Sequence, residues 1–412
     1  MVKNKNEMTE LAINGGAPVR TKSFPQWPFF DTDELATVTK VMESGKVNYW
    51  TGEEGRLFEK EFAASIGVDY AVAVMNGSVA LEAALMALDI GTGDEVVVTP
   101  RSFIASASCA IMRGAKPVFA DVDRNSQNIT AETIENVLTN RTRAIIAVHL
   151  AGWPCEMDAI MDLAKKHGLA VIEDCAQATG ALYKGRPVGS FGDVAAFSFC
   201  QDKIMTTCGE GGMVVTYNKD IWSKAWAYKD HGKSYDAVYE NDNVNTGSSF
   251  RWIHESFGTN WRMMGMQAAI GRIQLRKLPE WIKRRRHNAE ILSTAFLNIP
   301  LLRVTVPPDH ISHAYYKYYV FIKPEMLKNG WNSERVIAAI NNEGIPCFSG
   351  SCSEIYLEKA FDAQGMRPEK RLPVAQELGE SSMMFLVHPT LSEDDMRSMV
   401  AGVNKVMAVA CR

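Results

Sequence analysis

Residues 169–177 read Leu169-Ala170-Val171-Ile172-Glu173-Asp174-Cys175-Ala176-Gln177, an apolar run of strand length that ends on two carboxylates. A charge that closes a buried strand needs a cationic or proton-donating partner, because an unpaired buried charge is costly. Outward from it, similar short apolar runs lie at Tyr70 to Asn76, Glu95 to Pro100, Pro117 to Val122, Ala144 to Leu150, Ala195 to Phe199 and Gly212 to Tyr217. Segments of helical period fill the gaps at Ser78 to Asp89, Ser102 to Arg113, Ala131 to Leu138 and Met157 to His167. Strands that alternate with helices predict an α/β fold, with a large domain built on a mostly parallel seven-stranded sheet flanked by helices. Ser78 is placed to cap a helix start, and Gly91, Gly114 and Gly168 stand where the chain leaves helices.

At 412 residues the chain exceeds one ordinary core, which predicts two domains. From about 220 to 258 the sequence turns polar and rich in Gly and Asn, including Asn241 to Ser249, and reads as a long loop. A helix from Gln267 to Leu297 should bridge the domains. Beyond it, His313 to Ile322, Trp331 to Glu343 and Phe385 to Pro389 predict a smaller C-terminal α+β domain. The first thirty residues, with Pro18, Pro25 and Pro28, read as an extended arm. The expected division is an arm over 1–30, a large domain over 31–265, and a bridging helix with a small domain over 266–412.

A hydrophobic fraction of 46%, a charged fraction of 22% and a net charge of -4 describe a globular chain with no basic field for nucleic acid. The dense cationic run Lys283-Arg284-Arg285-Arg286 reads as a solvated helix face. Eight cysteines, none in C-x-x-C spacing, argue for reduced thiols and against a disulfide framework or a metal site. No stretch reaches the ~18 apolar residues of a membrane span, and Met1 to Glu10 has no signal-peptide core, so a cytoplasmic protein is expected.

Open parallel sheets bind ligands at the carboxyl ends of their strands. Four such ends carry polar groups. Asn76-Gly77-Ser78 is a glycine turn that opens a helix and suits a phosphate. Phe103 stands where a ring could cover a planar ligand. Asp174 and Gln177 follow the fifth strand. Lys203 follows Phe197-Ser198-Phe199 and precedes Gly209-Glu210-Gly211-Gly212. An amine and a buried carboxylate are the two groups pyridoxal phosphate requires, one for its aldehyde and one for its ring nitrogen. Neither G-x-G-x-x-G nor G-x-x-x-x-G-K-[ST] occurs, which argues against a nicotinamide or nucleoside-triphosphate enzyme.

These residues, with Val171 to Ala178 and Gly258-Thr259-Asn260-Trp261-Arg262-Met263, resemble the DegT/DnrJ/StrS family of sugar aminotransferases, of the aspartate aminotransferase fold (fold type I). The likeness covers about residues 11 to 400. It implies that Lys203 is the Schiff-base lysine, Asp174 the partner of the ring nitrogen, Phe103 the stacking residue and Gln177 the neighbour of the cofactor hydroxyl. Gly77, Ser78, Val79 and Ser198 would surround the phosphate. Asn260 would reach the phosphate of the other subunit's cofactor, which implies a homodimer with shared sites. His313 and His388 are placed toward the substrate.

The resemblance further implies that glutamate or glutamine leaves the cofactor as pyridoxamine phosphate, which aminates a keto or aldehyde sugar, either nucleotide-linked or a cyclitol. The opening Leu11 to Arg20 is similar to the cyclitol branch. Two alternatives are a sugar dehydratase that uses pyridoxamine phosphate and a non-catalytic regulator that binds the cofactor. Relatives of the dehydratase type carry histidine where this chain has Lys203.

Overall fold

The seven apolar runs form one sheet, in the spatial order Tyr70–Val74, Gly212–Thr216, Val194–Ser198, Ala170–Asp174, Thr142–Val148, Glu95–Val98, Lys116–Phe119. The last five of these run parallel, and Gly212–Thr216 is antiparallel to both its neighbours. The computed structural model describes residues 10–239 and 253–412; the predicted loop tract Asn241 to Ser249, and Met1 to Thr9, lie outside them. Parallel pairing requires crossover connections, and the helices Gly77–Ala87, Ala105–Met112 and Met157–His167 are among those that provide them. Their apolar faces cover the sheet, whose central strands are buried on both sides, as parallel strands require.

A second sheet of four antiparallel strands runs Leu302–Val304, Tyr318–Ile322, Ser382–Phe385, Cys347–Phe348. Strand periodicity explains how it joins the first. Tyr318, Val320 and Ile322 point into its own core with the helices Ser333–Asn342 and Glu393–Ala410, whereas Tyr319 and Phe321 point the other way, into a core shared with Val97 and Ile145 of the large sheet. The helix Gly265–Phe296 spans 32 residues, about 48 Å at 1.5 Å per residue, and packs against both cores. The arm is tied down: Glu343 accepts from the Ala12 and Val19 amides, and Arg20 meets Asp395 at 2.6 Å. Among the described residues no helix is long and apolar enough to cross a membrane.

Four local expectations are corrected. The loop predicted from residue 220 begins instead with the helix Lys219–Lys229, because Asn218 caps the Asp220 and Ile221 amides and Ile221, Ala225 and Trp226 bury one face. The helix after the first strand is capped by Asn76, not Ser78, since the Asn76 side chain accepts from the Val79 amide. The late strand is Ser382–Phe385 rather than Phe385 to Pro389, with Met383 and Phe385 alternating into the small core. The cationic run is not a wholly solvated face: Arg285 is buried and donates to the Tyr315 and Tyr316 carbonyls.

Candidate active site

At the carboxyl ends of the strands a cavity of about 850 Å³ opens, within the size range of small-molecule sites. Asp174, the last residue of its strand, lies in the wall and is buried. Ser106 donates its hydroxyl to Asp174 Oδ2 at 2.7 Å, and the Ala176 amide donates to Oδ1 at 3.1 Å. Burial pushes the Asp174 carboxyl above its ordinary range, while Ser106, Ala176 and the charge of Lys203 pull it back. The preceding residue faces the opposite side. Glu173 accepts from the Gly189, Phe191 and Gly192 amides and pairs with His149 at 3.0 Å, so both its oxygens are taken and the cluster with Cys175 works as a structural lock.

Lys203 sits on the turn after Val194–Ser198, held by its amide to the Cys200 carbonyl at 3.1 Å and by its carbonyl to Trp27 Nε1 at 2.8 Å. Among the described residues its ammonium makes no hydrogen bond, and it lies 4.8 Å from the centre of the Tyr316 ring. The Tyr316 hydroxyl donates to Asp202, and Lys317 Nζ stands 3.5 Å from the same carboxylate. Burial alone would push Asp202 up; the Tyr316 hydrogen bond and the charges of Lys203 and Lys317 outweigh it and hold the carboxyl down.

The helix Gly77–Ala87 points its N-terminus into the same cavity. Asn76 satisfies the Val79 amide, and the Gly77 and Ser78 amides, first in the helix, have no intrahelical acceptor. The approach is close: a Cβ on Gly77 would meet Ser198 Cβ at 2.6 Å, and one on Gly212 would meet the Asn76 carbonyl oxygen at 2.3 Å. Glycine at both positions lets two strand ends and the helix start crowd into one cradle with the Ser78 and Ser198 hydroxyls. Phe103, 65% exposed, lines the cavity, as does Gln177, whose Oε1 accepts from the Ala151 amide at 2.8 Å.

The structure thus brings Lys203, Asp174, Gly77, Ser78, Phe103, Gln177 and Ser198 together. It does not bring Val79, Asn260, His313 or His388 to this wall. The Val79 amide serves the helix cap, and Asn260 is exposed on a bridge to Asp230. His313 is buried against Trp153 and stacks on Tyr315, with Nδ1 accepting from the Tyr315 amide at 2.7 Å. His388 is buried near Trp27 and bonded to Thr390 Oγ1 at 2.8 Å. Burial, followed by the Arg286 charge for His313 and by Arg285 and Lys317 for His388, holds both down to about 3.

Sequence reasoning missed Ser106, Tyr316, Lys317, Tyr319 and the segment Gly350–Cys352, all of which line the cavity. Ser102 and Ser106, four apart at a helix start and 2.8 Å from each other, carried a readable signal. The others come from the second sheet and the segments that flank its strands, whose docking no local pattern announces.

The wall fits the pyridoxal phosphate expected from the sequence. The cradle at Gly77 offers free amides and hydroxyls to a phosphate, Asp174 offers a buried carboxylate to a ring nitrogen, Phe103 offers a face, and Lys203 an uncommitted amine.

Comparison with known proteins agrees. The model of the DegT/DnrJ/EryC1/StrS aminotransferase family matches residues 28–404. GDP-perosamine synthase of Escherichia coli O157:H7 is 33% identical, over 86% of this chain and 92% of its own. The L-glutamine:2-deoxy-scyllo-inosose aminotransferase of Streptoalloteichus tenebrarius is 33% identical, over 96% of this chain and 97% of its own. The X-ray structure of the aminotransferase from Psychrobacter cryohalolentis superposes with a TM-score of 0.92 at 55% identity, covering 94% of this chain and 99% of that one.

Proposed function

The chain belongs to the DegT/DnrJ/EryC1/StrS aminotransferase family and is a pyridoxal-phosphate-dependent aminotransferase, and from that premise we propose the particular reaction it performs. It moves an amino group from glutamate or glutamine onto the carbonyl of a keto or aldehyde sugar, nucleotide-linked or a cyclitol, in amino-sugar biosynthesis. Relatives named for a nucleotide-linked sugar and for a cyclitol both support that class. The observation that carries the reading is the meeting of Lys203 and Asp174 in one cavity beside an open helix N-terminus.

When bound, the cofactor supplies an electron sink for the pair left as a proton leaves the substrate carbon. The chain supplies the rest. Lys203 Nζ holds the cofactor and carries that proton. Asp174 keeps the ring nitrogen protonated, steadied by the Ser106 hydroxyl. The Gly77 and Ser78 amides with the Ser78 and Ser198 hydroxyls hold the phosphate. Phe103 covers the ring, and Gln177, fixed by the Ala151 amide, stands by the cofactor hydroxyl. Lys317 and Tyr316, braced on Asp202, bound the space left for substrate.

We further propose a homodimer in which Asn260 completes the phosphate cradle across the interface, while Val79 supports the cradle from behind through its amide's bond to the Asn76 cap. Exposure of Asn260, with Phe257 wholly exposed three residues before it, supports this. His313 and His388 then act behind the substrate wall, by packing. The division at residue 265 is supported by two sheets that each have a core of their own beside the one they share, and the arm before residue 30 by its ties to Glu343 and Asp395. Eight free thiols support a cytoplasmic setting.

Amino-nitrogen-labelled glutamate and glutamine, offered with a panel of nucleotide-linked keto sugars and keto cyclitols, test the reading. Label on the sugar or cyclitol carbon supports it. Loss of water from the acceptor without label would make the chain a dehydratase instead.

A further inference from the structure

Arg101 has no exposed surface, yet both terminal nitrogens of its guanidinium lack a hydrogen-bond partner among the described residues. Its Nε donates to Gln127 Oε1 at 2.9 Å, which leaves the two-nitrogen edge of the fork open. Among the described residues no carboxylate balances the charge. Burial draws the guanidinium down from its ordinary range, and the ionisable groups that oppose this are Tyr319 and Cys352. Both stand in the wall of the cavity that holds Lys203, and the guanidinium carbon lies 5.3 Å from the Tyr319 ring centre.

A second buried arginine differs in its charge balance. Arg285 also has unpartnered nitrogens, Nε and Nη2, but its Nη1 donates to two carbonyls and it feels the Asp202 carboxylate. Among the described residues Arg101 has one neutral acceptor, and no carboxylate offsets its burial. An uncompensated buried cation is strongly unfavourable, so its charge is of use where a counter-ion arrives with a ligand. An open two-nitrogen edge of guanidinium matches a carboxylate in bidentate fashion.

We propose that Arg101 recognises a substrate carboxylate at the Tyr319–Cys352 wall of the cavity. The inference rests on the aminotransferase reading above and adds the chemistry of its substrate. Because Arg101 is covered, binding displaces a wall group, and Cys352 is the exposed one of the two. Tyr319 is fixed by the Ser351 amide at 2.7 Å, so it forms the rigid side of the entry. The carboxylate has two sources, the amino donor or an acidic group on the acceptor sugar, and one site serves both in turn because the donor leaves before the acceptor enters.

The test uses the full-length protein loaded with cofactor, as wild type, Arg101→Gln and Arg101→Lys. Three readouts are compared: conversion of the cofactor spectrum by glutamate and glutamine, amination of acid and neutral keto sugars, and the melting temperature with and without glutarate, an unreactive dicarboxylate. The expected result is a melting temperature without ligand that does not fall in Arg101→Gln. Glutarate should raise it most in wild type, less in Arg101→Lys and not in Arg101→Gln. The donor concentration for half-maximal conversion, or the KM for acid acceptors only, should rise on the order of tenfold or more, with Arg101→Lys intermediate.

A change confined to the donor step assigns the carboxylate to the donor; one confined to acid acceptors assigns it to the sugar. Unchanged conversion and amination in both variants, or an equal glutarate shift in all three proteins, would overturn the proposal. So would a large loss of stability in Arg101→Gln that Arg101→Lys restores together with full activity, which marks a structural arginine. If wild type itself is not converted by either donor, the aminotransferase reading fails, and the glutarate shift still decides whether Arg101 takes a carboxylate.

Discussion

The Ser106 hydroxyl donates to Asp174 Oδ2 at 2.7 Å, so the carboxylate that ends one strand is held by a helix that follows another. Burial places the Asp174 pKa above its unfolded value. A carboxyl raised in this way stabilises the cofactor-free fold below its unfolded pKa, and that contribution is lost as pH rises through the folded value. With the cofactor bound, the charged form of Asp174 would gain the protonated ring nitrogen as a partner, which would reverse the balance.

Ser106→Ala removes that hydrogen bond and drives the Asp174 pKa higher. The acid limb of the kcat/KM profile should move to higher pH, with a loss on the order of tenfold at neutral pH. An unmoved acid limb in the profile would contradict the role given to Ser106. Asp174→Asn should leave the cofactor-free protein at least as stable at pH 7, while kcat falls on the order of a hundredfold or more.

Gly77→Ala puts a Cβ 2.6 Å from Ser198 Cβ and spreads the phosphate cradle. Overpacking of this kind costs about 1–3 kcal/mol of stability. Cofactor affinity should fall on the order of tenfold, read by titration of the visible absorbance, whereas Gly67→Ala, at a left-handed helix end with open space, should change stability alone.

Asp202 accepts from Tyr316 and stands 3.5 Å from Lys317 Nζ. Burial lowers the Lys317 pKa and the Asp202 charge partly restores it. Asp202→Asn should therefore lower it further and shift the basic limb of the activity profile to lower pH. The cofactor spectrum, taken in parallel, should be retained.

His313 and His388 are both held near a pKa of about 3, so they are neutral across the physiological range. A base depressed in the fold contributes stability that is present above its unfolded pKa of 6.5 and is lost as pH falls toward the folded value. Chemical denaturation between pH 6.5 and 3 should show a slope that flattens by up to about 1.4 kcal/mol per pH unit in His313→Gln. The acid activity limb should not follow either histidine.

Much of this was legible along the chain because it is local. Each strand of the large sheet is a mostly apolar run, and the ligand groups sit where those runs stop, at Asn76, Asp174 and Ser198. The helix Lys219–Lys229 escaped notice because Lys, Tyr and Trp alternate in it and only Ile221, Ala225 and Trp226 mark the buried side. Tyr319 and Cys352 could not be read as wall residues, since what brings them there is the docking of the second sheet, a packing event between segments far apart in the chain. His313 and His388 follow the same rule in reverse: their motifs are local, but packing turns both rings away from the cavity wall.

The most direct test of the account is the absorbance spectrum of the purified protein with pyridoxal phosphate, for wild type and Lys203→Ala, before and after glutamate or glutamine. The account predicts a visible band that forms only with Lys203 and is bleached by an amino donor, while Lys203→Ala keeps its fold and shows neither change. A wild-type spectrum indistinguishable from that of Lys203→Ala, or a Lys203-dependent band that no amino donor alters, would contradict it.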